Sequence, residues 1–128
     1  YRIRETGLDE GIDCIASTPV HPASLRSRGF NPAAAIADRV SKEIGLPHRA
    51  ALLKKIRHTP PQATLKRAER LTNLKDAFAA NPALATGRRV LLIDDVMTTG
   101  STLIECARAL RAAGAVSTVA ATVARTEA

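Results

Sequence analysis

Short apolar runs alternate with longer stretches of helical spacing along this 128-residue chain. The first run, Ile12-Asp-Cys-Ile-Ala16, is bounded by turn formers and predicts a strand. The loop Ser17-Thr-Pro-Val-His-Pro22 follows, its two prolines excluding helix, and then the basic loop Ser24 to Gly29. Asn31-Pro32 signals a helix start, because Asn caps well and Pro at the first helical position lacks an N–H that would go unused. Apolar residues at Ala33, Ile36, Ala37, Val40 and Ile44 lie on one helical face, and Gly45 with Pro47 ends the element. Ala50 to Ile56 fits strand or helix equally. Arg57 to Thr64 reads as a loop, and Leu65, Ala68, Leu71, Leu74 and Phe78 have the spacing of a second helix. Asn81-Pro82 and Gly87 mark a further connection.

The clearest strand is Arg89-Val-Leu-Leu-Ile93, continuously apolar as a central parallel strand should be. Asp94 to Gly100 reads as a loop, Ser101 to Ala113 as a helix, Gly114 as its stop and Val116 to Val123 as a last strand. Strand, loop, helix, glycine and strand in that order predict a right-handed βαβ unit. The whole reads as one α/β domain over residues 1–128, a mostly parallel twisted sheet flanked by helices.

Composition narrows this picture. Hydrophobic residues make up 45% of the chain, yet Tyr1, Phe30 and Phe78 are its only aromatics. The core must therefore be aliphatic, which suits a parallel sheet under helices. The net charge of +7 is concentrated: residues 21–75 hold 12 Lys/Arg against 3 Asp/Glu, a net +9, while the rest holds 7 against 9. So basic a segment suits phosphates or nucleic acid, although a solvated basic face has the same composition. Cys14 and Cys106 have no ligand-like spacing, so they read as small buried residues, and free thiols fit a reducing cytoplasm. No stretch is apolar enough to span a membrane. The three histidines, His21, His48 and His58, read as loop residues, with no Ser/His/Asp pattern in the sequence.

The chemistry concentrates in Val90-Leu-Leu-Ile-Asp-Asp-Val-Met-Thr-Thr-Gly-Ser-Thr102. An apolar strand delivers two carboxylates to the carboxyl edge of a sheet, where open α/β folds bind ligands. A small hydroxyl-rich loop then enters a helix whose first N–H groups lack partners and favour an anion. Gly100 lets backbone approach closely, and the hydroxyls add donors. Carboxylates repel phosphate, so they should serve another part of the same ligand: ribose hydroxyls or a divalent cation. The site suits a phosphorylated sugar. The plainer reading makes the acids turn residues and Ser101 or Thr102 an N-cap.

This segment resembles the phosphoribosyl-diphosphate (PRPP) motif of type I phosphoribosyltransferases throughout residues 90–102. The resemblance implies that Asp94 and Asp95 are the catalytic acids holding the ribose hydroxyls. It implies that Thr98, Thr99, Gly100, Ser101 and Thr102 cradle the 5′-phosphate. Mg²⁺ would accompany PRPP and meet the two acids only indirectly, through the ligand. Pro19-Val-His-Pro22, Leu25-Arg-Ser-Arg-Gly-Phe-Asn31, Thr59-Pro-Pro-Gln62, Arg67-Ala-Glu-Arg70 with Asn73, and Ala77-Phe78 resemble the ComF/GntX branch, the competence-protein-like phosphoribosyltransferases. Two features depart from that branch. Pro32 stands where Gln is usual. The usual N-terminal zinc ribbon and leading lysine-containing segment do not appear, so either the chain is a fragment or the protein has lost them.

Arg26 and Arg28 fall where such a fold would receive pyrophosphate, and their planar donors match its oxygens. Arg57 and Gln62 fall in the segment resembling the loop that closes over PRPP; Lys55, Arg67 and Arg70 lie in or beside it. Each alone could be surface charge. Two functions follow as expectations. One is transfer of 5-phosphoribosyl from PRPP to an unidentified acceptor, releasing pyrophosphate. The other is a non-catalytic PRPP-, nucleotide- or single-stranded-DNA-binding module of DNA uptake, with competence proteins as partners.

Overall fold

The computed structural model describes residues 11–21, 26, 29–57, 76–97 and 101–125. Three strands form a parallel sheet: β1 (Cys14–Ser17), a central strand that will be β4 (Arg89–Met97), and β5 (Ser117–Arg125) at its side. Beyond β1, His48 bridges Ile15 in parallel; Ile15 N donates to Pro47 O at 2.8 Å and Arg49 N to Ile15 O at 2.9 Å. A short antiparallel ribbon pairs β2 (Leu53–Lys55) with β3 (Phe78–Ala80).

The expected first helix is α1 (Pro32–Ile44), capped as its sequence predicts. Asn31 Oδ1 accepts from Ala34 N at 3.2 Å, and Gly45 closes the helix at φ 75°. Ala33, Ala37 and Val40 turn inward. One helical turn, α2 (Pro82–Ala85), occupies the Asn81–Gly87 connection, with Asn81 Oδ1 accepting from Ala83 N at 3.0 Å. The last helix is α3 (Ser101–Ala112).

Alternation along the central strands divides the core in two. Cys14, Ala16, Val90 and Leu92 face Leu103, Cys106 and Leu110 of α3 and the ribbon residues Leu53 and Phe78. Ile15, Leu91 and Ile93 face Ala37 and Val40 of α1. Side chains this small suit the close approach of helix to sheet, which explains how a core nearly free of aromatics packs.

Two expectations are corrected here, and one open alternative is decided. Ala50–Ile56 resolves into strand β2, but it pairs with the antiparallel ribbon and leaves the parallel sheet to the His48 segment. Phe78 does not end a helix: Asp76 stands at φ 55°, which breaks helical geometry, and Phe78 pairs with Lys55 in β3. The rest of the expected second helix lies outside the described residues. Finally, the last sheet strands run longer than their apolar cores. β4 continues to Met97 because β5 supplies backbone partners as far as Arg125.

Gly114 offers a test of the βαβ turn. At φ 102°, a Cβ added there would lie 2.9 Å from Thr86 Oγ1 and 3.2 Å from Thr86 Cα. Thr86 cannot easily yield, since its hydroxyl sits 2.7 Å from Pro82 O and 3.0 Å from Ala113 O. Gly45 has a similar sign of φ but open space around it. Gly45→Ala should cost about 1 kcal/mol, from left-handed backbone alone. Gly114→Ala should cost roughly 2 kcal/mol more, from strain and overlap together. Urea unfolding midpoints of the two variants measure the difference.

Candidate functional site

The site follows from strand order. From β1 the chain crosses through α1 to the His48 segment on one side. The second half of the chain lies on the other side, where β4 crosses through α3 to β5. α1 and α3 cover opposite faces. The order therefore reverses between β1 and β4, and such reversals leave a crevice at the carboxyl edge where α/β proteins bind ligands.

Register determines what lines that crevice. Cys14 to Ser17 pair with Val90 to Ile93, and β1 ends there while β4 continues. One step further, Thr18 reaches Asp94: Thr18 Oγ1 donates to Asp94 Oδ1 at 2.8 Å, and Thr18 N to Ile93 O at 2.9 Å. Asn31 Nδ2 donates to Thr18 O at 3.2 Å, tying the start of α1 to the same residue. Thr18 is buried, whereas its place between Ser17 and Pro19 marks it in the sequence only as a loop residue.

Asp94 and Asp95 are therefore strand residues, contrary to the expected loop. Asp94 is only 7% exposed, on the α3 side with Leu92; Asp95 is half-buried. Asp95 N also donates to Asp94 Oδ1, at 2.9 Å. Ser101 and Thr102 are the first two residues of α3, Ser101 buried and Thr102 half-buried, and the first turn of α3 holds no acid. Thr98, Thr99 and Gly100, which join the acids to the helix, lie outside the described residues.

Burial pushes the Asp94 carboxyl up to about 6, with the adjacent Asp95 carboxylate adding to the rise and the Thr18 hydroxyl opposing it. Burial likewise pushes the Cys14 and Cys106 thiols up, and both cysteines are free and buried as the sequence suggested. Cys106 feels the charges of both Asp94 and Lys55. Lys55 is half-buried with its Nζ 5.7 Å from the Phe78 ring centroid, and burial pulls its pKa down. Arg57 is exposed and close enough to lower Lys55 further. Arg26 is exposed; Arg28, Gln62, Arg67 and Arg70 lie outside the described residues.

His48 has side-chain partners that its sequence position does not show. His48 Nδ1 meets Asp38 Oδ1 at 2.6 Å and His48 Nε2 meets Ser17 Oγ at 3.1 Å. Sequence could not show this Ser–His–Asp chain because Ser17 and Asp38 lie on separate elements, brought together when α1 packs on β1.

Among the described residues, no three His, Cys, Asp or Glu side chains gather to hold a metal. Asp94 Oδ1 already accepts from Thr18 and Asp95. Two carboxylates remain beside one another at this edge, Asp95 and the second oxygen of Asp94, and oxygen donors of this kind suit a hard cation. Nor is any described helix long and apolar enough to cross a membrane.

Ionisation of Asp94 predicts a stability signature. A carboxyl raised in the folded state favours folding below its unfolded pKa of about 3.9, and that contribution is lost as pH rises through about 6. Asp94→Asn keeps an acceptor for Thr18 and removes the charge. It should therefore raise the ligand-free Tm at pH 7, by a free energy on the order of 2 kcal/mol, and change it little at pH 4. Thermal unfolding of both proteins across that range measures the effect.

Comparison with known proteins agrees with this geometry. The phosphoribosyl transferase domain model matches residues 12–128. Competence protein F of Haemophilus influenzae is 36% identical over 104 residues, which cover 80% of this chain and 45% of that protein. DNA utilization protein YhgH of Escherichia coli is 34% identical over 112 residues, 88% of this chain and 48% of that protein. Adenine phosphoribosyltransferase of Mycobacterium avium is 38% identical over 103 residues, 79% and 53%. The chain spans about half the length of these curated relatives. Among solved structures, glutamine PRPP amidotransferase from B. subtilis matches with a TM-score of 0.58 at 20% identity, over 86% of this chain and 22% of that one. Leishmania donovani UMP synthase matches at 0.53 and 20% identity, over 97% and 21%. These two likenesses concern the fold.

Proposed function

The chain belongs to the phosphoribosyl transferase domain family, in its ComF-like type I branch, and from that premise we propose that it binds PRPP and transfers the 5-phosphoribosyl group to an acceptor. The observation that carries this reading is a carboxylate buried at the strand-order reversal, held by Thr18 at 2.8 Å and followed by a helix start free of acids. A buried charge of this kind costs stability without a ligand and gains when ribose hydroxyls donate to it.

In this reading Asp94 and Asp95 accept from the ribose hydroxyls. Ser101 and Thr102, with Thr98, Thr99 and Gly100 before them, receive the 5′-phosphate at the start of α3. Arg26 and Arg28 meet the diphosphate, and Arg57 and Gln62 belong to the segment that closes over it. Mg²⁺ accompanying PRPP would supply charge that offsets the diphosphate, and Asp94 and Asp95 would meet it only indirectly, through the ligand. The bond from C1 to the diphosphate oxygen breaks, C1 bonds to the acceptor, and pyrophosphate leaves. The side chains contribute by position and charge: the acids favour positive charge developing on the ribose, and the arginines favour the leaving anion. Asp94 must be ionised to accept both its protein and ligand bonds, so affinity should weaken as pH falls below about 6.

A second reading has support of its own. The relatives named for competence and DNA utilization, together with a net +9 in residues 21–75, favour a non-catalytic module that binds nucleotide or single-stranded DNA. Exposed Arg39, Lys42, Arg49, Lys54 and Arg57 belong to that segment. Electrostatic binding of this kind would show as a steep fall in oligonucleotide affinity with salt.

Calorimetric titration of Mg²⁺–PRPP into the protein tests the first reading. Saturable binding is expected, weakened about a hundredfold in Asp94→Asn, Asp95→Asn through loss of charge-assisted hydrogen bonds. Failure of the folded wild type to bind would remove PRPP as the ligand and leave the nucleic-acid reading.

A further inference from the structure

The Ser17–His48–Asp38 chain lies outside the PRPP motif, yet it ends one residue from Thr18. Its order is that of a nucleophilic triad, but its exposure is inverted. A triad needs its acid buried behind the histidine and its serine open to substrate. Here the Asp38 side chain is 66% exposed, the His48 side chain only 5%, and Ser17 is half-buried on the sheet face that packs on α1. Such an arrangement suits holding rather than attack.

The hydrogen bonds say what is held. A carboxylate only accepts, so His48 Nδ1 donates to Asp38 Oδ1 at 2.6 Å. This fixes the ring and aims Nε2 at Ser17 Oγ, 3.1 Å away. His48 is itself pinned to β1 through the backbone bonds on both sides of it, Ile15 N to Pro47 O and Arg49 N to Ile15 O. α1 therefore grips the end of β1 at two points: Asn31 takes Thr18 O directly, and Asp38 reaches Ser17 through His48. Ser17 and Thr18 are consecutive, and Thr18 orients the carboxylate of Asp94.

We infer that His48, set by Asp38, is a positioning residue for the ligand site, fixing the Ser17–Thr18 end of β1 and thereby the placement of Asp94. The functional consequence rests on the PRPP reading; the mechanical one does not. Removing the His48 contact leaves the Ser17–Thr18 end held by Asn31 and the backbone bond to Ile93, so Asp94 is oriented less firmly and the ligand must restore its placement at a cost in affinity.

Amide hydrogen exchange by NMR, combined with PRPP titration, separates the two. The reporters are the Thr18 amide, bonded to Ile93 O, and the Asp95 amide, bonded to Asp94 Oδ1. The controls are Gly87 and Val116, bonded to Gly114 O and Arg88 O at the opposite edge. In His48→Leu, protection of Thr18 and Asp95 should fall about tenfold while the controls hold. Asp38→Asn, an exposed change that leaves the core intact, should give a smaller fall at the same two amides. PRPP affinity should decline in the same order, about tenfold and then severalfold. Unchanged Thr18 and Asp95 protection in both variants overturns the inference, as does an equal fall at reporters and controls, which would mean general destabilisation. If the wild type binds no PRPP while the reporters respond as described, the PRPP reading falls and the positioning role stands.

Discussion

The hydrogen bond from Thr18 Oγ1 to Asp94 Oδ1 joins two strands whose order in the sheet reverses at that point. Everything that gives the site its character converges on this contact. Parallel register brings Thr18 opposite Asp94, and β1 ends at Ser17 while β4 runs on. Continued pairing with β5 keeps the acids on a rigid strand instead of a loop. Two residues of a strand hold geometry more tightly than a turn could, as the proposed recognition of ribose hydroxyls by both acids would require.

Energetically the contact is a compromise. Asp94 is buried, which disfavours its charge, and Thr18 and the Asp95 amide relieve part of that penalty. A neutral residue would suit the ligand-free fold better. Under the proposed function, retaining an acid there exchanges stability for a group that is ready to accept from a ligand without reorganising. The nearby cysteines illustrate the opposite case: buried, neutral and apolar, they fill space between sheet and helix.

Much of this architecture was legible in sequence. Periodicity gave α1 and α3, Asn31-Pro32 gave a cap, and the run Val90–Ile93 gave the central strand. The acids and the hydroxyls of Ser101 and Thr102 stood out because chemistry of that kind at a strand-to-helix junction has few other uses. Other features depended on partners distant in sequence. β4 runs past its apolar stretch only because β5 pairs with it, and hydropathy carries no record of that. Phe78 has helical spacing but lies in a ribbon, since Asp76 turns the chain and Leu53–Lys55 offers backbone partners. Thr18, and the clamp of Asp38 and His48, become visible only when register and helix docking are known.

The central claim is that the notch between β1 and β4 recognises a phosphorylated ribose through both its phosphate and its hydroxyls. Paired NMR titrations with ribose 5-phosphate and 2-deoxyribose 5-phosphate test it most directly. The account predicts that ribose 5-phosphate shifts the amides of Asp94, Asp95, Ser101 and Thr102, and that the deoxy sugar binds about tenfold more weakly for want of a hydroxyl facing a carboxylate. Equal affinities for the two sugars, or shifts confined to the start of α3, would mean that the site holds an anion and that the two acids have no part in recognising it.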